Sequence, residues 1–112
     1  MNITEFKAEL IVLGFKREKN TEYNNDVFTN ESYGDGKLCI EVYVDSYNVR
    51  FVWKLGNGKR VGKCFYIHRD IAECEKVADL ISEFIHYSIK LYGIKVNTSP
   101  NKNGKVCNSK AK

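Results

Sequence analysis

Residues 37–55 read KLCIEVYVDSYNVRFVWKL, and this stretch decides the fold. Apolar and polar side chains alternate on both sides of residues 45–48, which is the period of a strand with one buried face. Because a short polar connection separates the two runs, the stretch predicts an antiparallel hairpin. The positions expected to face a core are Leu38, Ile40, Val42, Val44, Val49, Phe51, Trp53 and Leu55.

The strands on either side of this hairpin are predicted from weaker signals. Gly56-Asn57-Gly58 predicts a turn into a third strand over residues 60–67. Residues 15–30 alternate less regularly and predict one or two edge strands. Together these segments predict an antiparallel meander of four to five strands.

A helix is predicted at the N-terminal side of the sheet. Ile3, Phe6, Leu10 and Leu13 recur at helical spacing, which predicts a helix over residues 3–13. Asn2 or Thr4 is expected to cap it, and Gly14 to end it.

A long C-terminal helix is predicted over residues 70–92. Asp70, with Glu73 three residues later, resembles a capping box, and Gly93 follows the last helical residue. The expected apolar stripe comprises Ile71, Cys74, Ala78, Ile81, Ile85 and Tyr92, widened by Val77, Leu80, Phe84 and Leu91.

The fold class predicted from these elements is α+β. An N-terminal helix and the long C-terminal helix pack together on one face of the antiparallel meander sheet. Residues 1–95 are expected to form this single domain, and residues 96–112 a flexible basic tail.

Charge divides the chain of 112 residues, whose formal net charge is +4. Residues 31–69 carry a net +3 and residues 94–112 a net +5, whereas residues 70–93 carry a net −3. A basic middle and tail favour polyanions or acidic partners. No apolar run approaches the roughly 20 residues that span a bilayer, so we expect a cytoplasmic chain without a membrane partner.

The four cysteines, Cys39, Cys64, Cys74 and Cys107, do not predict a metal site or disulfides. Zinc sites usually contain a close Cys-x2–4-Cys pair, which this spacing lacks. The glycines of residues 56–62 do not match a phosphate-binding loop, because the segment joins two strands. We therefore expect no cofactor and no metal.

Strand alternation predicts a second sheet face turned away from the helices. Tyr43, Arg50, Lys54 and Tyr66 should lie there, together with Glu41 and Val52. Tyrosine and arginine are common interface anchors, although a plain solvated face has the same composition. The candidate binding residues are Tyr43, Tyr47, Arg50, Lys54, Asn57, Lys59, Arg60 and Tyr66.

Three functions are compatible with these residues. The first is a small non-enzymatic protein that occupies a protein partner. With 14 Lys and 11 Asn, the chain resembles the small phage or mobile-element proteins that block host machinery, such as anti-CRISPR-like inhibitors of host defence. The second is nucleic-acid binding through the open sheet face, the basic hairpin and the tail lysines. The third is a small enzyme using His68 or His86. A monomer and a homodimer both remain open.

Overall fold

The computed structural model describes residues 1–20, 25–34 and 36–93. A helix begins the chain, five antiparallel strands follow, and a second helix ends the described part. The predicted tail, residues 96–112, lies outside the described residues. The elements are α1 (Ile3–Val12), β1 (Lys16–Asn20), β2 (Asn25–Asn30), β3 (Lys37–Tyr43), β4 (Asn48–Lys54), β5 (Arg60–Tyr66), a π-helical segment (Ile67–Ile71) and α2 (Val77–Tyr92).

The sheet has the strand order β1-β2-β3-β4-β5, so each strand pairs with its neighbour in sequence. The predicted α+β fold with an antiparallel meander is therefore confirmed. Ile40 pairs with Phe51 across β3 and β4, and Trp53 pairs with Val61 across β4 and β5. These pairs place the apolar residues of the central strands on one face.

Both helices pack on that face, and aromatic side chains form the centre of the core. The Phe51 ring forms T-shaped pairs with the rings of Phe65 and Phe84, with 4.9 and 5.6 Å between ring centroids. Phe6 and Leu10 of α1 are fully buried in the same cluster. Edge-to-face rings add to the free energy of area burial.

The start of α1 confirms Asn2 as its cap. The Asn2 side chain accepts a hydrogen bond from the backbone N–H of Glu5, and Glu5 accepts one from the Asn2 backbone. This reciprocal pair is a capping box. After the helix, Phe15 is buried and its N–H donates to the carbonyl of Leu10.

The predicted helix over residues 70–92 is wrong in its first turns. The π-helical segment ends at Ile71, and α2 begins only at Val77. Ile71 and Val77 are both fully buried. Six residues on a continuous helix span about 600°, which would turn these two side chains to different faces. The interruption lets both reach the core.

The buried stripe of α2 also differs from the predicted one. Ala78 and Tyr92 are exposed, whereas they were expected to face the core. The break before Val77 rotates the helix, so Val77, Leu80 and Phe84 lie at the centre of the stripe. Leu91, which was also expected to widen the stripe, is 58% exposed. The buried positions are Val77, Leu80, Ile81, Phe84, Ile85 and Ser88.

Two residues at strand ends depart from strict alternation. Val44 was expected in the core but is 52% exposed, because β3 ends at Tyr43 and Val44 begins the turn. Leu55 follows the end of β4 and packs only partly buried against the core. Alternation holds while a ladder continues and fails where the backbone turns.

Candidate binding surface

The sheet face turned away from the helices carries most of the predicted binding residues. We call it the open face. Its residues lie in rows, because each strand pairs in register with the next. One row across three strands runs from Tyr43 to Asn48 and then to Tyr66. A parallel row contains Glu41, Arg50 and Cys64.

Arg50 of the second row stacks on the Tyr43 ring of the first row. The guanidinium carbon of Arg50 lies 5.8 Å from the centroid of the Tyr43 ring, and the Tyr43 hydroxyl donates to Glu41 at 2.9 Å. A hydrogen bond with Cys64 raises the pKa of Arg50 above its ordinary value. Arg50 is therefore a fixed cation on this face.

Tyr47 stands beside this row in a strained backbone conformation. Its φ is 55°, the left-handed region that favours glycine. The turn is closed by a hydrogen bond from the Tyr47 N–H to the Val44 carbonyl at 3.1 Å. The Tyr47 carbonyl accepts from the Ile67 N–H, which attaches this turn to the π-helical segment.

The π-helical segment adds two residues that were not among the candidate binding residues. The His68 ring lies 5.0 Å from the Tyr47 ring, and the Arg69 guanidinium carbon lies 4.8 Å above the Tyr66 ring. Tyr47, Tyr66, His68 and Arg69 line a shallow cavity of about 380 Å³. We call Tyr43, Arg50 and these four residues the aromatic end.

Asp70 holds the aromatic end to the sheet. Its carboxylate accepts a 2.8 Å hydrogen bond from the Tyr66 N–H and a contact of 3.2 Å from the Arg69 guanidinium. Partial burial alone would raise the pKa of Asp70, but the hydrogen bonds from Arg69 and Tyr66 lower it overall. Asp70 thus anchors this junction. The prediction that Asp70 caps a helix is wrong.

The remaining predicted residues lie at the other end of the same face. Lys54 pairs with Arg60 at the end of β4 and β5, and Lys59 occupies the connecting turn. The Asn57 side chain accepts a 2.9 Å hydrogen bond from the Lys59 N–H, so its oxygen closes the turn. Lys54 lies six residues along β4 from Asn48, which corresponds to a distance of about 20 Å.

The predicted binding residues therefore fall into two separate groups. Tyr43, Tyr47, Arg50 and Tyr66 come together at the aromatic end, whereas Lys54, Asn57, Lys59 and Arg60 lie about 20 Å away. Comparison with family models, curated proteins and solved structures found no match for this chain. The geometry of the two ends alone bears on function.

The histidines and cysteines that the structure describes are dispersed over the molecule. His68 and His86 are both exposed, on the π-helical segment and on α2. Cys39 is buried and Cys64 exposed on the open face, whereas Cys74 donates its thiol hydrogen to the Lys76 carbonyl. In the part of the chain that the structure describes, no group of three metal-ligating side chains occurs.

A group of acidic residues lies beside the start of α2 and includes Asp70, which also contacts the aromatic end. Asp70, Glu73, Glu75, Asp79 and Glu83 line a shallow groove of about 370 Å³ beside the start of α2. Within the described ranges, no helix is long and apolar enough to cross a bilayer.

Proposed function

We propose that this chain is a non-enzymatic binding protein that acts by occupying a protein partner with its aromatic end. The observation that carries the proposal is the exposed cluster of Tyr47, Tyr66, His68 and Arg69 around one cavity. Tyr47 is 59% exposed and Tyr66 is 50% exposed, so both rings are available to a partner. Tyrosine and arginine supply a disproportionate share of interface energy.

The cluster is also ordered before any partner binds. Arg69 lies over the Tyr66 ring and is held by Asp70, and Tyr47 is fixed by backbone hydrogen bonds on both sides. A surface that is already ordered loses less side-chain entropy on association. This supports a specific interface in preference to a plain solvated face.

The strain at Tyr47 supports the same proposal. A non-glycine residue in the left-handed region costs of order 1–2 kcal/mol. Glycine or asparagine would fill this turn position at lower cost. A large exposed ring at a strained position contributes little to the fold, whereas it adds contact area for a partner.

Steric occlusion is the mechanism proposed for this chain. A rigid domain that covers a functional surface of its partner inhibits it without chemistry. We extend the proposal to an inhibitor encoded by a phage or mobile element and directed at host defence. The Lys- and Asn-rich composition and the small size of the chain support this extension.

The test is quantitative capture from nuclease-treated lysate of the native host. The tagged full chain is compared with Tyr66→Ala/Arg69→Ala and with Tyr92→Ala/Lys90→Ala, which removes an exposed tyrosine and a cation from α2. We expect the wild type and the α2 variant to retain one stoichiometric protein partner. The Tyr66/Arg69 variant should bind it about 30-fold more weakly, equivalent to about 2 kcal/mol.

Two further variants examine the edges of the site. Tyr43→Ala/Arg50→Ala should weaken the same complex by about 2 kcal/mol while the domain stays folded. Tyr47→Gly should weaken it without lowering the free energy of unfolding, because glycine relieves the backbone strain. Equal retention of the partner by every folded variant would rule out the aromatic end as the interface.

A further inference from the structure

Three cations lie in direct register at the other end of the open face. Lys37 of β3 pairs with Lys54 of β4, and Lys54 pairs with Arg60 of β5. Strand alternation places all three on the open face, since Leu38, Trp53 and Val61 point into the core. Adjacent strands are about 4.8 Å apart, so this cationic row presents one positive charge per strand.

The row is unfavourable for the sheet itself. Like charges directly opposite each other in an antiparallel pair destabilise it. Among the residues described, no ion pair joins Lys37, Lys54 or Arg60 to a carboxylate. The repulsion is therefore not relieved within this part of the molecule.

Strand pairing places Lys37 directly beside Lys54. Gly36, with a φ of 91°, packs so closely on β4 that a Cβ atom there would lie 2.0 Å from the Lys54 carbonyl oxygen. This approach holds the start of β3 against the end of β4. Burial raises the pKa of the Cys39 thiol; Lys54 and Lys37 act to lower it, and Glu41 and Glu18 act to raise it, so charges of both signs surround Cys39.

A row of small side chains lies beside the cationic row. Thr29, Cys39, Val52 and Gly62 form the next row in register across four strands. Cys39 is 1% exposed, and Thr29 and Val52 are each 7% exposed, so neighbouring side chains cover this row. Lys37 and Lys54 are half-buried, and the Thr29 hydroxyl donates a hydrogen bond to the Glu18 carboxylate.

We infer that the cationic row binds the phosphodiester backbone of a single-stranded nucleic acid. Phosphates provide regularly repeated charges that can follow a flat row, and arginine binds phosphate oxygens with paired donors. Arg50, two residues beyond Val52 on the same face, offers a guanidinium plane for stacking.

The site goes beyond the proposed function. Its cationic row contains no residue of the aromatic end, and the two sites share only Arg50. A single strand is favoured over a duplex because its flexible backbone can lie along a flat row, whereas duplex phosphates follow two rigid curved strands. An acidic protein segment also carries negative charge, but it has no planar bases to stack on Arg50.

The test is fluorescence anisotropy of a labelled 20-nucleotide oligothymidylate with the full chain. Lys37→Gln/Lys54→Gln is compared with Lys76→Gln/Lys90→Gln, which removes two exposed lysines from the start and end of α2. We expect at least about 10-fold weaker binding for the first variant and less than about 2-fold for the second. The salt slope of the first should fall by about 1.4, because two phosphate contacts are lost.

Thermal unfolding adds a second readout for the same variants. Removing two opposed charges should leave the Tm of Lys37→Gln/Lys54→Gln unchanged or raise it, so weaker binding would not reflect unfolding. Equal losses in the two variants would overturn the inference, as would failure of the wild type to bind the oligothymidylate. Tighter binding of a matched duplex or of polyglutamate would overturn the single-strand assignment.

The outcome is separable from that of the partner capture. The cationic-row variant leaves Tyr66 and Arg69 intact, and the aromatic-end variant leaves Lys37 and Lys54 intact. If the capture fails and the oligothymidylate result holds, only the proposed function is lost. The reverse result removes only the cationic site.

Discussion

The backbone N–H of Val77 at the start of α2 donates a 3.0 Å hydrogen bond to the carboxylate of Glu9 in α1. Lys76, the residue before α2, makes no side-chain cap of its own. Glu9 therefore caps a helix 68 residues away in sequence and joins the two helices. Its negative charge also lies favourably at the positive end of α2.

Glu9→Ala should lower the free energy of unfolding by about 1 kcal/mol, the usual cost of losing a helix cap. Glu9→Gln should cost less, because the amide retains an acceptor oxygen. Glu83→Ala, on the exposed side of α2, serves as the control and should change stability by less than about 0.5 kcal/mol. Urea denaturation measures all three, and equal effects of Glu9→Ala and Glu83→Ala would contradict the cap.

Asp26 should make the stability of the fold dependent on pH. Its carboxylate contacts Lys7 of α1 and Arg17 of β1, both at 2.8 Å, and its side chain is 13% exposed. The hydrogen bond from Lys7 lowers the pKa of Asp26, against partial burial and with help from Arg17. A lowered pKa stabilises the folded state above about pH 4, and this contribution is lost as the pH falls through the folded-state pKa.

We expect Asp26→Asn to lower the free energy of unfolding by about 1–3 kcal/mol at pH 7. The difference from the wild type should shrink as the pH is lowered below about 4, where the wild-type carboxyl also becomes neutral. Denaturation at a series of pH values measures it. A difference that stays constant from pH 7 to pH 2.5 would show that the ion pairs do not stabilise the fold.

Substitutions at Gly36 and Gly58 distinguish the stability cost of a steric clash from that of backbone strain. Both have a φ near 90°, but a Cβ at Gly36 would meet the Lys54 carbonyl oxygen, whereas a Cβ at Gly58 would meet nothing within 4 Å. Gly36→Ala should cost about 2–4 kcal/mol and Gly58→Ala about 1 kcal/mol. Calorimetric unfolding compares them. Similar costs would mean that the close approach of β3 to β4 is not tight.

The thiols of Cys39 and Cys64 should differ in reactivity although both lie on the open face. Cys39 is 1% exposed, and burial raises the pKa of its thiol, whereas Cys64 is exposed. Iodoacetamide should alkylate Cys64 at least about 100-fold faster in the native protein, because the thiolate is the reacting form. Peptide mass spectrometry measures both rates. The rates should converge in denaturant, and equal native rates would show that Cys39 is not protected.

The two ends of the open face were predictable to different degrees. Tyr43, Arg50 and Tyr66 could be placed there from alternation alone. Lys37 follows from the same alternation, two residues before Cys39, although it is not among the candidate binding residues. His68 and Arg69 gave no periodic signal, because they lie in a π-helical segment between a strand and a helix.

The sequence by itself determined the elements with strong local periodicity. Alternation in residues 37–55 predicted β3 and β4, and the spacing of Ile3, Phe6 and Leu10 with the Asn2 cap predicted α1. These features depend on contacts within a few residues, so a local pattern contains them. The break before α2, by contrast, allows both Ile71 and Val77 to pack in the same core. It depends on the position of the folded sheet, so no local pattern predicts it.

Only the tertiary structure decided which distant residues meet. The cap from Glu9 to Val77, the stack of Arg69 on Tyr66 and the register of Lys37, Lys54 and Arg60 depend on how turns set strand pairing and on how helices dock. A shift of one residue in register would send each strand residue to the other face. The binding surface is therefore a property of packing and register, which local pattern does not contain.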